Sequence, residues 1–381
     1  MKNRMLKFLS YVAVAALASM LTLATAVPRA EYTKLEQLAD LIDSNYIGEA
    51  DRTQMEDAAA HAMIASLGDR WSYYIPASEY AAHMEEVANA YVGIGVTITA
   101  AEDGSGFVIK AVNPGSPAEE AGLQVGDVLT EADGISAAGM TTTELRDIVR
   151  GKEGTFVSVT VLREGQSLTF SVERREVKTP VATGTMLPGN VGLVKIVNFD
   201  SRCAEETLAA IETLLAEGAE KLIFDVRHNG GGFAKEMVKV LDYLLPEGEL
   251  FRTVDYKGSE NVDASDENCL DIPMAVLVNA SSYSAAEFFA AALREYEAAI
   301  VVGEQTSGKG YFQYTYELQD GSAVGLSSGK YFTPKGNSLE GVGITPDVEV
   351  SVDEATASAI YYETLAPEED PQIQAAIQAL E

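Results

Sequence analysis

Residues 274–313 carry a serine and a lysine in settings that could make them a nucleophile and its base. The apolar run 274–278, followed by Asn279, Ser281 and Ser282, has the length and β-branched content of a buried strand ending in a turn. From 285 to 296 the residues are strong helix formers, and Phe288, Phe289, Ala292, Leu293 and Tyr296 recur at helical spacing. Ser284 is therefore predicted at a helix start. A hydroxyl there lies beside unpaired backbone N–H groups and the positive end of the helix dipole, where an acyl-transfer oxyanion can be stabilised. Serine is also a preferred N-cap, and this stretch read alone favours that plainer role.

The downstream residues shift the balance. Residues 299–302 read as a second buried strand, 303–308 as a turn, and 311–318 as a β-rich run with Lys309 at its start. If that run is extended, Lys309 and Gln313 point to one face. A serine hydroxyl needs a base, and a lysine serves only if its pKa falls from about 10.4 to about 7–8, at a cost of roughly 4 kcal/mol. Such a lysine needs apolar neighbours, which Tyr311, Phe312 and residues 299–302 could supply. A histidine base is poorly provided for: the chain has only His61, His83 and His228, and His228 alone adjoins a glycine-rich loop. Residues 303–309 also fit the start of a P-loop. Gly310 then stands where magnesium needs Ser or Thr, and a β-like run replaces the phosphate-binding helix, so nucleotide binding is not expected.

These residues resemble the C-terminal processing, or tail-specific, serine proteases with a Ser–Lys–Gln site. The family's N-x-x-S-A-S-A-S-E pattern is similar to Asn279, Ala280, Ser281, Ser282, Tyr283, Ser284, Ala285, Ala286 and Glu287, with Tyr283 and Ala286 as departures. Its G-K-G-x-x-Q element is matched by Gly308, Lys309, Gly310, Tyr311, Phe312 and Gln313. The resemblance implies Ser284 as nucleophile, Lys309 as general base and Gln313 as the residue orienting the lysine. Asp225, Val226, Arg227, His228, Asn229, Gly230, Gly231 and Gly232 resemble the D-L-R-x-N-P-G-G loop, with Gly230 in place of proline. By that likeness the N–H of Gly231 joins that of Ala285 in an oxyanion hole, and His228, at a variable position, is a bystander. Asp69, Arg70, Trp71, Ser72, Tyr73 and Tyr74 resemble a D-P-x-S-x-Y segment and read as an aromatic turn packing on the core. Gly341, Gly343, Ile344, Pro346 and Asp347 match a closing G-x-G-I-x-P-D segment with a structural role.

Residues 92–177 resemble a PDZ domain. Gly93, Ile94, Gly95 and Val96 would form the loop that captures a peptide carboxylate, and the next strand would accept the peptide as an added β-strand. Ser116, Pro117 and Gly122 carry the start and stop signals of a short helix, and 142–150 reads as the helix flanking the groove. Beyond them, short apolar runs at 191–196 and 222–226 alternate with helical patterns at 204–216 and 233–245, which argues for an α/β core.

A formal net charge of −31 argues against nucleic acid and against anionic membrane surfaces as partners. Lys2, Arg4 and Lys7 precede the uncharged residues 8–27, an export signal long enough to remain as an anchor, while Ala24, Thr25 and Ala26 offer a cleavage site. The remainder is then expected outside the cytoplasm. Cys203 and Cys269 are far apart in sequence, and whether they pair is left open. No Cys/His spacing suggests a metal, and no cofactor is expected.

The expected architecture is an α/β (α+β) protease core of alternating strands and helices with an inserted β-rich PDZ domain and a helical N-terminal region. The parts are 1–30, export signal or anchor; 31–91, helical region; 92–177, PDZ domain; 178–351, protease core; and 352–381, an acidic C-terminal segment with one helix at 371–380. The resemblance implies an exported serine endopeptidase acting on proteins or peptides with exposed C-termini. Membrane anchoring and oligomer formation stay open. A non-catalytic PDZ scaffold on the same fold is the alternative, and retention of Ser284, Lys309 and Gln313 together speaks against it.

Overall fold

The computed structural model describes residues 33–381. The expected export segment, with Lys2, Arg4, Lys7 and residues 8–27, lies outside the described residues. Two compact units divide between Arg70 and Trp71. In the first, α1 (Lys34–Asn45) opens with a capping box in which Thr33 and Glu36 satisfy each other's backbone N–H groups. The second helix, α2 (Arg52–Ala65), opens with the Asp51 carboxylate accepting the Gln54 N–H, and Arg52 reaches Asp43 at 3.0 Å.

The second unit begins with β1 (Tyr73–Ile75), α3 (Ala77–Val87) and β2 (Ala90–Gly93). The expected helical N-terminal region is present as α1, α2 and α3, while Tyr73 and Tyr74 lie in a strand instead of a turn. Three residues are too few to show a period-two pattern, and the strand exists only because it pairs with residues 323–325, far along the chain.

The inserted domain comprises β3 (Val96–Ala100), β4 (Phe107–Val112), α4 (Pro117–Ala121), β5 (Val128–Ala132), β6 (Ile135–Ser136), α5 (Thr142–Val149), β7 (Phe156–Arg163) and β8 (Gln166–Glu173). It has its own apolar core, which includes Ile94, Phe107, Ile109, Leu129, Leu145 and Val159. Strand order β3-β4-β5-β7-β8 leaves β3 at an edge, with α5 beside it. The chain enters and leaves through an antiparallel ribbon of β2 and β9 (Arg175–Lys178).

The core then runs β10 (Ala182–Leu187), β11 (Val191–Ile196), α6 (Cys203–Ala216), β12 (Lys221–Asp225), α7 (Ala234–Leu244), β13 (Gly248–Asp255), β14 (Glu260–Ser265), β15 (Met274–Val278), α8 (Ala285–Glu295), β16 (Ala299–Gly303), β17 (Tyr311–Glu317), β18 (Ala323–Phe332) and β19 (Val348–Glu349). Its main sheet has the order β10-β11-β12-β15-β16-β19 and is parallel from β11 onward. Alternation sorts the strand residues between two faces: Val194, Phe224, Val276 and Val301 meet α6, α7 and α8, while Leu193, Ile223, Leu277 and Val302 meet the C-terminal helix. A second sheet joins β1, β13, β14, β17 and β18.

Residues 352–381 form two helices, α9 (Glu354–Tyr361) and α10 (Pro371–Ala379), where one was expected. No residue of α9 is buried, so it lacks the apolar stripe that reveals a helix in sequence. The start of α10 is tied to the glycine-rich loop after β12. Arg227 donates to both oxygens of Asp225 at 2.9 and 2.6 Å, to Asp370 at 2.8 Å and to the Gln372 amide oxygen at 2.9 Å. Burial pushes the Asp225 carboxyl up, but Arg227 outweighs it and holds the group below its ordinary range.

Replacing Arg227 by methionine is expected to cost about 3–5 kcal/mol in urea unfolding, because Asp225 and Asp370 are left buried without their cation. A carboxyl lowered on folding contributes stability that is present above about pH 3.9 and is lost as pH falls through its folded value. The acid dependence of unfolding is thus expected to weaken in Arg227→Met, and a variant as stable as the parent would refute the clamp.

Candidate active site

Ser284 lies at the start of α8, but its backbone differs from that of an ordinary cap. The N-caps Thr33, Ser116 and Thr141 have φ between −64° and −78° with ψ of 156° to 158°, whereas Ser284 has φ 58° and ψ −127°. Positive φ in a non-glycine residue costs on the order of 1–3 kcal/mol and persists only where the surroundings impose it. Here two loops are stitched together around it. Ser282 Oγ donates to the Val226 carbonyl at 2.7 Å, Tyr283 N–H to the Asn229 carbonyl at 3.1 Å, and Ser284 N–H to Glu287 Oε2 at 3.0 Å. The sharp strand-to-helix turn is the geometry that presents a nucleophilic hydroxyl at the end of a helix.

Gly231 stands against this turn. A Cβ added to it would lie 2.8 Å from Ser284 Cβ and 3.0 Å from Ala285 N, so the missing side chain keeps open the space beside the first N–H of α8. The expected pairing of its own N–H with that of Ala285 meets a difference. Gly231 N–H donates to Asn229 Oδ1 at 2.8 Å. Asn229 is fully buried and must satisfy its amide, whose nitrogen donates to the Ile196 carbonyl at 2.9 Å. Gly231 N–H can therefore serve an oxyanion only by sharing or leaving Asn229.

Glu287 closes the serine motif, and the structure makes it the joint of the site. Its fully buried carboxylate accepts from Ser284 N–H at 3.0 Å, Thr306 Oγ1 at 2.5 Å, Gly308 N–H at 2.7 Å and Lys309 N–H at 2.8 Å. One side chain thus fixes the main chains of both reactive candidates. The available signal was its position three residues into the helix, within reach of the residue before it.

Lys309 lies just ahead of β17, and the register shift beside Phe312 and Gln313 comes from an extra residue, Ser328, on the partner strand β18. Strand alternation does not extend to Lys309, so the shared face expected for Lys309 and Gln313 is not set by β17. Gln313 donates to the Tyr311 carbonyl at 3.1 Å and to Ser327 Oγ at 3.2 Å, which leaves its side-chain oxygen as the atom able to accept from an amine. The apolar neighbours expected for the lysine also differ. Its amine lies 5.2 Å from the Trp71 ring centre and 5.7 Å from that of Tyr283, while Phe312 packs on Tyr314 and Tyr331.

The remaining candidates have other partners. In the inserted domain, Gly93 pairs with Arg175, the carbonyls of Ile94 and Gly95 accept from Ala118 and Asn113, and Val96 begins the edge strand β3. The ring of His228 meets Asn279 Nδ2 at 2.9 Å and packs edge-on against Tyr361. Because Asn279 Oδ1 accepts two backbone N–H groups, the His228 Nε2 must accept from the amide, and burial with Arg227 holds the imidazole below its ordinary value. Residues 303–309 pass from β16 into a loop and on to β17, with no helix to receive phosphates. Cys203 is buried and its thiol is pushed up to about 12 by that burial, Cys269 is exposed, and both are free.

The chain is similar to known proteins over most of its length. Residues 190–350 match peptidase family S41 and residues 108–163 match the PDZ domain. The carboxy-terminal processing protease CtpA of Bacillus subtilis is 32 % identical over 325 residues, covering 84 % of this chain and 69 % of the relative. A CtpA-like serine protease of Staphylococcus saprophyticus is 32 % identical over 326 residues, and the match spans 66 % of that relative's length. A solved structure from Bacteroides fragilis assigned to the S41 proteases shares the fold at a TM-score of 0.54 and 17 % identity, covering 90 % of this chain and 96 % of that one.

Proposed function

The chain belongs to the carboxy-terminal processing proteases of peptidase family S41, and from that premise we propose that it is an exported serine endopeptidase using a Ser–Lys acyl-enzyme route. The observation that carries this reading is the Glu287 carboxylate, which binds the Ser284 and Lys309 N–H groups at 3.0 and 2.8 Å. A scaffold that only bound peptides would need neither the strained serine nor this joint.

In the proposed reaction the neutral Lys309 amine removes the Ser284 hydroxyl proton as Oγ attacks a peptide carbonyl. The resulting oxyanion is received by Ala285 N–H, with Gly231 N–H joining as it gives up Asn229. The Lys309 ammonium then passes its proton to the leaving amine, and water hydrolyses the acyl-enzyme by the same proton path in reverse. Gln313 orients the amine through its side-chain oxygen. The PDZ domain supplies recognition: its free edge β3 beside α5 suits addition of a peptide strand, with the carboxylate held at Gly93, Ile94, Gly95 and Val96. Export follows from the charge pattern at the N-terminus, and a reporter fused after Ala30 should be recovered outside the cytoplasm.

The test is incubation of the full chain with an unfolded protein, with Ser284→Ala as control and sequencing of the products. Cleavage that depends on Ser284 is expected, and equal cleavage by the control would sink the proposal.

A further inference from the structure

We propose that Trp71 and Tyr283 are positioning residues for Lys309: their stacked rings form an aromatic seat that holds the amine at the site and favours its protonated state. The inference rests on the reading of Lys309 as the base. The two ring centres are 6.1 Å apart with planes inclined by 29°, and the Lys309 nitrogen lies 5.2 Å from one and 5.7 Å from the other. Both distances fall within the roughly 6 Å over which a cation is drawn to an aromatic face.

The seat is fixed from three sides. Trp71 Nε1 donates to both oxygens of Glu340 at 3.0 and 3.2 Å, and Glu340 Oε2 also accepts the Gly310 N–H at 2.8 Å, next to the lysine. The Lys309 N–H is held by Glu287 at 2.8 Å. Tyr283 lies along Gly230, where an added Cβ would meet its hydroxyl at 2.6 Å. The substitution that puts Tyr283 immediately before Ser284 and the one that makes residue 230 a glycine are thus a matched pair, since a proline ring would collide with the tyrosine. Charged groups on the elements around the lysine include the Glu287 and Glu340 carboxylates, with the Tyr283 hydroxyl as a further titratable group beside it.

An amine that takes the serine proton becomes an ammonium, so aromatic faces stabilise the proton-transfer product as well as the resting cation. Two consequences follow. Loss of a ring should let the amine stay neutral at lower pH, and it should slow the plateau rate by leaving the nascent ammonium less supported.

The experiment measures kcat/KM against pH for the full chain and for Tyr283→Ala, Tyr283→Phe and Trp71→Leu. Alongside it, ε-¹³C-lysine labelling follows the Lys309 resonance, assigned by its absence from Lys309→Arg. Tyr283→Ala and Trp71→Leu are each expected to move the acid limb and the resonance midpoint together to lower pH, by roughly half to one unit, and to reduce the ring-current shift. Tyr283→Phe keeps the ring and should keep the position of the limb. Unchanged midpoint and ring-current shift in both ring-deleting variants would overturn the seat. A resonance that moves as expected while the rate profile stays still would uphold the seat and count instead against Lys309 as the base.

Discussion

Lys309→Arg is expected to lower kcat/KM by roughly 10³-fold or more, as much as Lys309→Ala, because guanidinium stays charged and cannot take a proton. Combining Ser284→Ala with Lys309→Ala should add little to either change alone, since nucleophile and base act as one unit. In the unaltered chain activity should rise with pH as the amine loses its proton. Gln313→Ala should cost less, because Gln313 only orients the amine and is itself held by Tyr311 and Ser327. Near-normal turnover in Lys309→Arg, or a rate profile abolished by His228→Ala, would transfer the base role elsewhere. The His228 ring is a poor candidate for it, because its Nε2 is committed to Asn279.

The second large effect is expected at Glu287, which contacts no reacting atom. Glu287→Ala strips the acceptor from the N–H groups of Ser284, Gly308 and Lys309 and from the Thr306 hydroxyl. Unsatisfied buried donors cost about 1–3 kcal/mol each, so the variant should lose several kcal/mol in denaturant unfolding, partly recovered where water enters. Glu287→Gln is the sharper probe. It keeps the volume but turns an NH₂ group toward backbone N–H donors, displacing the Ser284 turn or the Lys309 loop. A misplacement of about 1 Å can cost 10²-fold, and the loss should fall on kcat more than on KM. A Glu287→Gln enzyme with parental kcat would show that the joint is not needed to align the two residues.

Much of the chain's architecture was legible before any coordinates. The runs 191–196 and 274–278 coincide with β11 and β15, the helix after Ser284 begins at Ala285, and the capping signal at Ser116 marks the helix it announces. Local signals of this kind survive because apolar alternation, cap chemistry and glycine at positive φ are set by neighbouring residues. Ser284 and Lys309 were nameable from residue type and order, and Gly231 and Ala285 from the family resemblance.

What only the tertiary structure decided is how those residues meet. The short β1 exists through a partner some 250 residues away, and the Arg227 clamp to Asp370 spans 143 positions, so neither leaves a local periodicity to read. The extra residue Ser328 of β18 shows only in its pairing with β17, and Lys309 lies outside β17, so strand alternation does not fix how Lys309 and Gln313 are placed. The strain at Ser284, the capture of Gly231 N–H by Asn229 and the aromatic faces over Lys309 depend likewise on contacts between loops. The physical reason is common to all of them. Sequence spacing specifies the direction of a side chain within one element, whereas a site is built where the ends of several elements converge, and that convergence is set by the packing of the sheet and the satisfaction of buried polar groups.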